Sequence, residues 1–239
     1  MRVLGVIPAR YQSTRLPGKP LSMIGNKTMI QWVYEGACTA SLIDQVVVAT
    51  DDNRIYEAVQ NFGGAVEMTA ANHPTGTDRL AEVAQRYQAE VIVNIQGDEP
   101  LIRGEVIDSI IQPLLDDNSL AMSTAKVRLT DEGQVGEPSV VKVVTDETGN
   151  ALYFSRSPIP YPRNREKAVY WKHIGLYGYR RDFLLNYINL PQTGLELSES
   201  LEQLRALSYG YKIRVVEVER DSVGVDTPED LERVRIILE

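Results

Sequence analysis

A chain of 239 residues, 43% hydrophobic and 24% charged, can bury a substantial core as one large α/β body or two modest ones. No apolar run approaches the ~20 residues needed to span a bilayer, and the N-terminus enters a strand-like segment without a signal-peptide pattern, so a cytoplasmic protein is expected. A net charge of −8 opposes general nucleic-acid binding, and a single cysteine, Cys38, read as a core residue, excludes an intrachain disulfide.

The first half alternates β-rich runs with helical periodicity, the pattern of a mostly parallel sheet covered by helices on both faces. Val3 to Ile7 reads as the first strand, and Ile30, Val33, Tyr34 and Ala37 recur at helical spacing beyond the loop that follows it. Gln45 to Thr50 is a buried strand closed by Asp51 and Asp52. A helix from Asn53 to Phe62 stops at Gly63-Gly64, and Ala65 to Met68 returns to the sheet. Thr77 to Tyr87 is expected to be helical and Val91 to Ile95 a central strand, with Val106, Ile107, Ile110, Ile111 and Leu114 forming one face of the next helix.

Beyond Leu120 strands predominate: Ala121 to Val127, Val140 to Val144, Ala151 to Phe154 and Ile174 to Tyr179, an added sheet region. Pro158, Pro160 and Pro162, followed by Arg163 and Arg165, favour an extended loop placed to cover a site. Glu196 to Leu207 is predicted as one helix and Ile213 to Val218 as a strand. Thr227-Pro228-Glu229-Asp230 opens a final helix, with Thr227 as cap and Asp230 completing a capping box.

Ligands of open α/β sheets gather at the carboxyl ends of the strands. The loop after the first strand is cationic: Arg2, Arg10, Arg15, Lys19 and Lys27 all precede the first acidic residue, Glu35. Arginine forks, a lysine point charge, hydroxyls and backbone amides suit a triphosphate, and the plainer alternative is a solvated basic turn. Neither GxxxxGK[ST] nor GxGxxG occurs there. Gln96-Gly97-Asp98-Glu99-Pro100 follows the central strand, and Asp226 stands at a strand-to-helix junction. Carboxylates so placed suit Mg²⁺, which shares its oxygen ligands with substrate phosphates; an acidic turn and a helix-start residue are the alternatives.

These segments carry a specific resemblance. IPARYQSTRLPGKPL in the first loop is similar to the opening of the 3-deoxy-manno-octulosonate (Kdo) cytidylyltransferases, also called CMP-Kdo synthetases. The likeness continues in order through VVVATDD (46–52), HPTGTDRLAEV (73–83), VNIQGDEP (93–100), ALYFSR (151–156), HIGLYGYR (173–180), LEQLR (201–205) and GVDTPEDLERV (224–234). It implies a nucleotide-diphospho-sugar transferase fold in one domain spanning 1–239, with residues 1–118 mainly for nucleotide and 119–223 mainly for sugar and dimer contacts. It also implies transfer of CMP from CTP to the anomeric hydroxyl of Kdo, with release of pyrophosphate, in a cytoplasmic homodimer that supplies lipopolysaccharide assembly.

Carried over residue by residue, the resemblance assigns the CTP phosphates to Arg10, Ser13 and Lys19, and the cytosine to Thr77 and Arg79. It gives Mg²⁺ to Asp98 and Asp226, and makes these two with Arg10 and Lys19 the catalytic set. For the sugar it points to Gln96, Arg156, His173, Tyr177, Glu202 and Gln203. The least family-like stretch, Ser157 to Trp171, leaves open a close analogue such as 8-amino-Kdo or a sialic-acid-like substrate, and a catalytically silent binding protein is the rival class.

Overall fold

A computed structural model describes residues 1–12, 16–221 and 224–238. Strand β1 (Val3–Ala9) is apolar almost throughout, and its alternation divides the interior into two layers: Val3 and Ile7 face one core, Leu4 and Val6 the other. Two short strands, β2 (Met23–Ile24) and β3 (Lys27–Thr28), lead into α1 (Met29–Ala37), whose N-terminus is capped by Thr28. The alternating half continues through β4 (Gln45–Thr50), α2 (Asn53–Asn61), β5 (Val66–Met68), α3 (Gly76–Arg86), β6 (Val91–Asn94) and α4 (Gly104–Asp116). Because β1 pairs in parallel with both β4 and β6, their carboxyl ends open on one edge.

The chain then forms β7 (Met122–Arg128), the single turn α5 (Glu132–Val135), the hairpin β8 (Lys142–Thr145) and β9 (Ala151–Ser155), and the long strand β10 (Trp171–Arg180). It closes with α6 (Arg181–Tyr187), α7 (Gly194–Glu199), α8 (Leu204–Ser208), β11 (Ile213–Val218) and α9 (Pro228–Leu238). The main sheet runs β11-β7-β10-β6-β1-β4-β5, with β10 antiparallel to both neighbours and the β8–β9 hairpin attached to it. One sheet thus passes through both the nucleotide and the sugar portions expected from sequence. Helices α1, α2 and α4 pack on one face and α3, α6 and α8 on the other. Each Ile or Leu fully buried in these layers contributes roughly 1.5–3 kcal/mol.

Two expectations are corrected. The stretch predicted as one helix from Glu196 to Leu207 is broken: Ser200 adopts a left-handed conformation (φ 51°), ending α7 and leaving Glu202 and Gln203 in the turn before α8. Cys38, read as core, is exposed just beyond α1. The final helix starts as its sequence implies, with Asp230 N donating to Thr227 Oγ1 (3.2 Å) and Thr227 N to Asp230 Oδ2 (3.0 Å). Residues 156–164 form no regular element, and Arg163 and Arg165 are exposed. Among the described residues, no helix is long and apolar enough to cross a membrane.

Candidate active site

Three loops meet at the carboxyl edge of the parallel strands. Gly18, with φ 70°, turns the chain after β1 into the short 3-10 segment Lys19–Leu21 and so aims Lys19 at that edge. Gly97 lets the loop after β6 lie directly on the end of β1, where a Cβ would come within 2.9 Å of the Pro8 carbonyl oxygen. The segment before α9 is tied to the same loop by Val225 N, which donates to Asp98 O (2.9 Å). Asp98 and Asp226, far apart in sequence, are neighbours for this reason.

Lys19 Nζ is the centre of this cluster. It donates to Asp98 Oδ2 (2.6 Å), Val225 O (2.9 Å) and Asp226 Oδ1 (3.1 Å). Burial opposes the ammonium charge, yet the two carboxylates hold its pKa above the ordinary lysine value. Three oxygens converging on one cation form a donor set that also suits a hard divalent ion. The residues line a cleft of about 480 Å³ with Arg10, whose Nη2 donates to His73 O (2.6 Å). Ser13 and Arg15 lie outside the described residues.

A second, smaller cavity of about 150 Å³ adjoins the cleft, and Pro8, Gly76 and Gln96 line both. Its remaining wall includes Thr77, Tyr177, Glu202 and Gln203, four residues from three distant segments. Thr77 Oγ1 donates to Glu202 Oε2 (3.2 Å), and Gln96 Nε2 to Gly175 O (3.0 Å). Burial raises the Glu202 pKa, and the Thr77 hydrogen bond opposes that rise. The Glu202–Gln203 turn is fixed from behind: Arg205 Nε donates to Glu196 Oε2 (2.9 Å), Arg205 Nη2 to Glu196 Oε1, and Tyr187 OH to Glu202 O (2.7 Å).

One further lining residue, Asn94, carries no sequence-based assignment. It is the last residue of β6, two positions before Gln96, and its place inside the apolar run of residues 91–95 gave no local signal of a role. Asn94 Oδ1 and Gln203 Nε2 are both buried without a hydrogen-bond partner.

The chain as a whole is similar to known proteins. A family model described as cytidylyltransferase covers residues 4–213. The chain is 57% identical to the 3-deoxy-manno-octulosonate cytidylyltransferase of Solibacter usitatus, over 98% of this chain and 93% of that one. It belongs to the 3-deoxy-manno-octulosonate cytidylyltransferase family. The relative of that name from Geobacter sulfurreducens is 54% identical over 98% of both chains. The structure of CMP:2-keto-3-deoxy-manno-octonic acid synthetase complexed with CTP matches with a TM-score of 0.97 at 50% identity, covering 100% of this chain and 98% of that one. A 4-diphosphocytidyl-2C-methyl-D-erythritol synthase from Anaerococcus prevotii, at 13% identity and a TM-score of 0.67 over 99% of this chain, shares the fold.

Three residues that the family resemblance implicates line neither cavity. Arg79 is fully buried under α3, with Nη1 donating to Thr69 Oγ1 and Nη2 3.3 Å from Asp51 Oδ1. Burial lowers its pKa, against the pull of Asp51. Thr77, grouped with Arg79 by sequence, sides instead with Glu202. The Arg156 guanidinium is committed to backbone carbonyls, its Nε donating to Glu199 O (2.7 Å), Nη1 to Pro138 O (2.9 Å) and Nη2 to Ser200 O (3.3 Å). His173 packs edge-on to Phe154 with Nε2 3.0 Å from Thr124 Oγ1, and burial, aided by Lys172, pulls its pKa down to about 3. It is therefore a neutral ring behind Tyr177, 5.4 Å away between centroids.

Proposed function

We propose that this protein transfers CMP from CTP to the anomeric hydroxyl of Kdo, giving CMP-Kdo and pyrophosphate. The observation that carries the reading is the junction of the two cavities at Pro8, Gly76 and Gln96, which sets a hydroxyl-recognising pocket beside a triphosphate-sized charged cleft. Attack on the α-phosphate requires the sugar oxygen and the departing pyrophosphate to lie roughly in line, so orientation and charge supply most of the rate. Arg10 and Lys19 neutralise the phosphates, while Gln96, Tyr177, Glu202 and Gln203 orient the sugar. Asp98 and Asp226 would hold Mg²⁺, which supplies charge to the triphosphate and acidifies the sugar hydroxyl when bound. The oxygen cluster around Lys19 Nζ supports that assignment. The same reading includes a homodimer, supported by the exposed Leu152 and Tyr161 (62% and 83% accessible), and a cytoplasmic location, where CTP is available.

Pyrophosphate release measured with CTP, Mg²⁺ and a panel of sugar acids tests the proposal. Turnover should require CTP over ATP, GTP and UTP, and should favour Kdo over its 8-amino derivative and sialic acid. Absence of turnover with Kdo across divalent metals sinks the assignment.

A further inference from the structure

The apolar layer formed by Leu4, Val6 and Ile92 runs up to the carboxyl edge of the sheet, and there the residue that would continue it is Asn94. Val91, Ile92 and Val93 are fully buried, and Asn94 is 5% exposed, so it belongs sterically to the core. Its cross-strand partner on β10 is Tyr177, another wall of the small cavity. Water would offer hydrogen bonds to the amide in the unfolded chain, and the fold leaves Oδ1 without any. Gln203, also 5% exposed and lining the same cavity, repeats the condition with Nε2. A leucine at 94 would extend the layer and avoid this penalty. The protein instead maintains a buried carboxamide where it meets a cavity, which is the expected signature of a group held ready for a ligand.

Building on the functional reading above, we propose that Asn94 is a specificity-determining ligand of the acceptor sugar, its amide nitrogen donating to one hydroxyl and Oδ1 accepting from its neighbour. A carboxamide supplies one face of donors and one of acceptors, the complement of two adjacent hydroxyls. The lining contains one charged residue, the carboxylate Glu202, and no lysine or arginine. The cavity consequently takes the uncharged, hydroxyl-bearing part of the sugar acid, with the acid group turned away from Glu202. At about 150 Å³ it has room for that part and not for a nucleotide.

Asn94→Leu is nearly isosteric and tests the assignment. The free variant should melt no lower than wild type, because an unpaired polar group is removed, while its KM for Kdo rises roughly tenfold and its KM for CTP stays unchanged. With Kdo analogues lacking single hydroxyls, deletion of either of two adjacent hydroxyls should weaken the wild type and leave the variant indifferent. Asn94→Ser, which keeps a small polar side chain, should show the same split between the two KM values if the leucine variant folds poorly. An unchanged KM for Kdo, or equal rises for both substrates, overturns the role of Asn94 alone. Lack of wild-type turnover with Kdo would overturn the substrate assignment and this proposal together.

Discussion

The cleft and the cavity that meet at Gln96 solve the problem of an empty binding site in opposite ways. In the cleft, ionised groups wait in each other's company: Lys19 bridges Asp98 and Asp226, and the Asp226 side chain retains half its exposure to water. In the cavity, Asn94 and Gln203 are neutral, closely packed and unpaired, and the one carboxylate is desolvated. Long charged side chains on loops can satisfy one another and later exchange partners. Asn94 on a strand and Gln203 in a tight turn each keep a buried polar atom, Oδ1 and Nε2, without a hydrogen-bond partner at the cavity they line. The cleft is organised by charge that rearranges, the cavity by polarity fixed in place.

The sharpest test of this contrast removes charge from the cleft. Asp98→Asn takes one oxygen anion from the cluster, and kcat should fall by roughly 10²–10³-fold, the scale seen when a single transition-state electrostatic contact is lost. The KM for Kdo should barely move, since Asp98 does not line the cavity. Lys19→Met supplies the complementary result: with the ammonium gone, the two carboxylates should bind Mn²⁺ alone more tightly than wild type, measured calorimetrically without nucleotide. Equal Mn²⁺ affinity in both proteins would break the view of Lys19 as the resident counter-ion.

The cavity should respond to loss of its support. Arg205 and Glu196 form a forked pair with side chains only 8% and 5% exposed, behind the turn that carries Glu202 and Gln203. Burial opposes the Glu196 charge, and the Arg205 hydrogen bonds overcome it and keep that carboxyl below its ordinary range. Arg205→Met strands a buried carboxylate and should cost roughly 3–5 kcal/mol in denaturant unfolding, whereas Glu196→Leu with Arg205→Met should recover most of that loss. In the single variant the KM for Kdo should rise while CTP binding holds. Parallel weakening of both substrates would show that the two regions are not mechanically separate.

Much of the cleft was legible because its residues follow strands directly: strand-end glycines and aspartates announce loops, and Lys19, Asp98 and Asp226 do converge. The cavity was less so. Residues 196–207 contain no glycine or proline and carry a helical pattern, so nothing local announces the left-handed Ser200; the break accompanies burial of Glu202 and the Arg205–Glu196 fork. Asn94 was hidden inside an apolar run, where attention falls on the Gln96 that follows. Cys38 was misread because position at a helix end, which exposes it, outweighs its apolar character. His173 lies within a motif of the family, yet β10 carries it into the core beside Phe154, next to an irregularity in its pairing with β7 between Ile174 and Tyr177.

That burial gives His173 a consequence of its own, smaller than the others and confined to acid. An unfolded histidine binds a proton near pH 6.5, whereas the folded ring does so only near 3. Between these values the unfolded state holds the extra proton, so His173 destabilises the fold progressively as pH drops below 6.5, by about 1.4 kcal/mol per pH unit at most. The stability is fully present above pH 6.5. Acid stability sums over many groups, so the quantity to measure is the difference between wild type and His173→Gln. Denaturant unfolding at pH 7.5, 6, 5 and 4.5 should show the glutamine variant losing stability less steeply than wild type, with the gap between their slopes opening below 6.5. Parallel slopes would mean that the ring takes up its proton in the folded state, and that the wall behind Tyr177 is wet. The contrast between a charged, hydrated cleft and a closed cavity would then fail at its back wall.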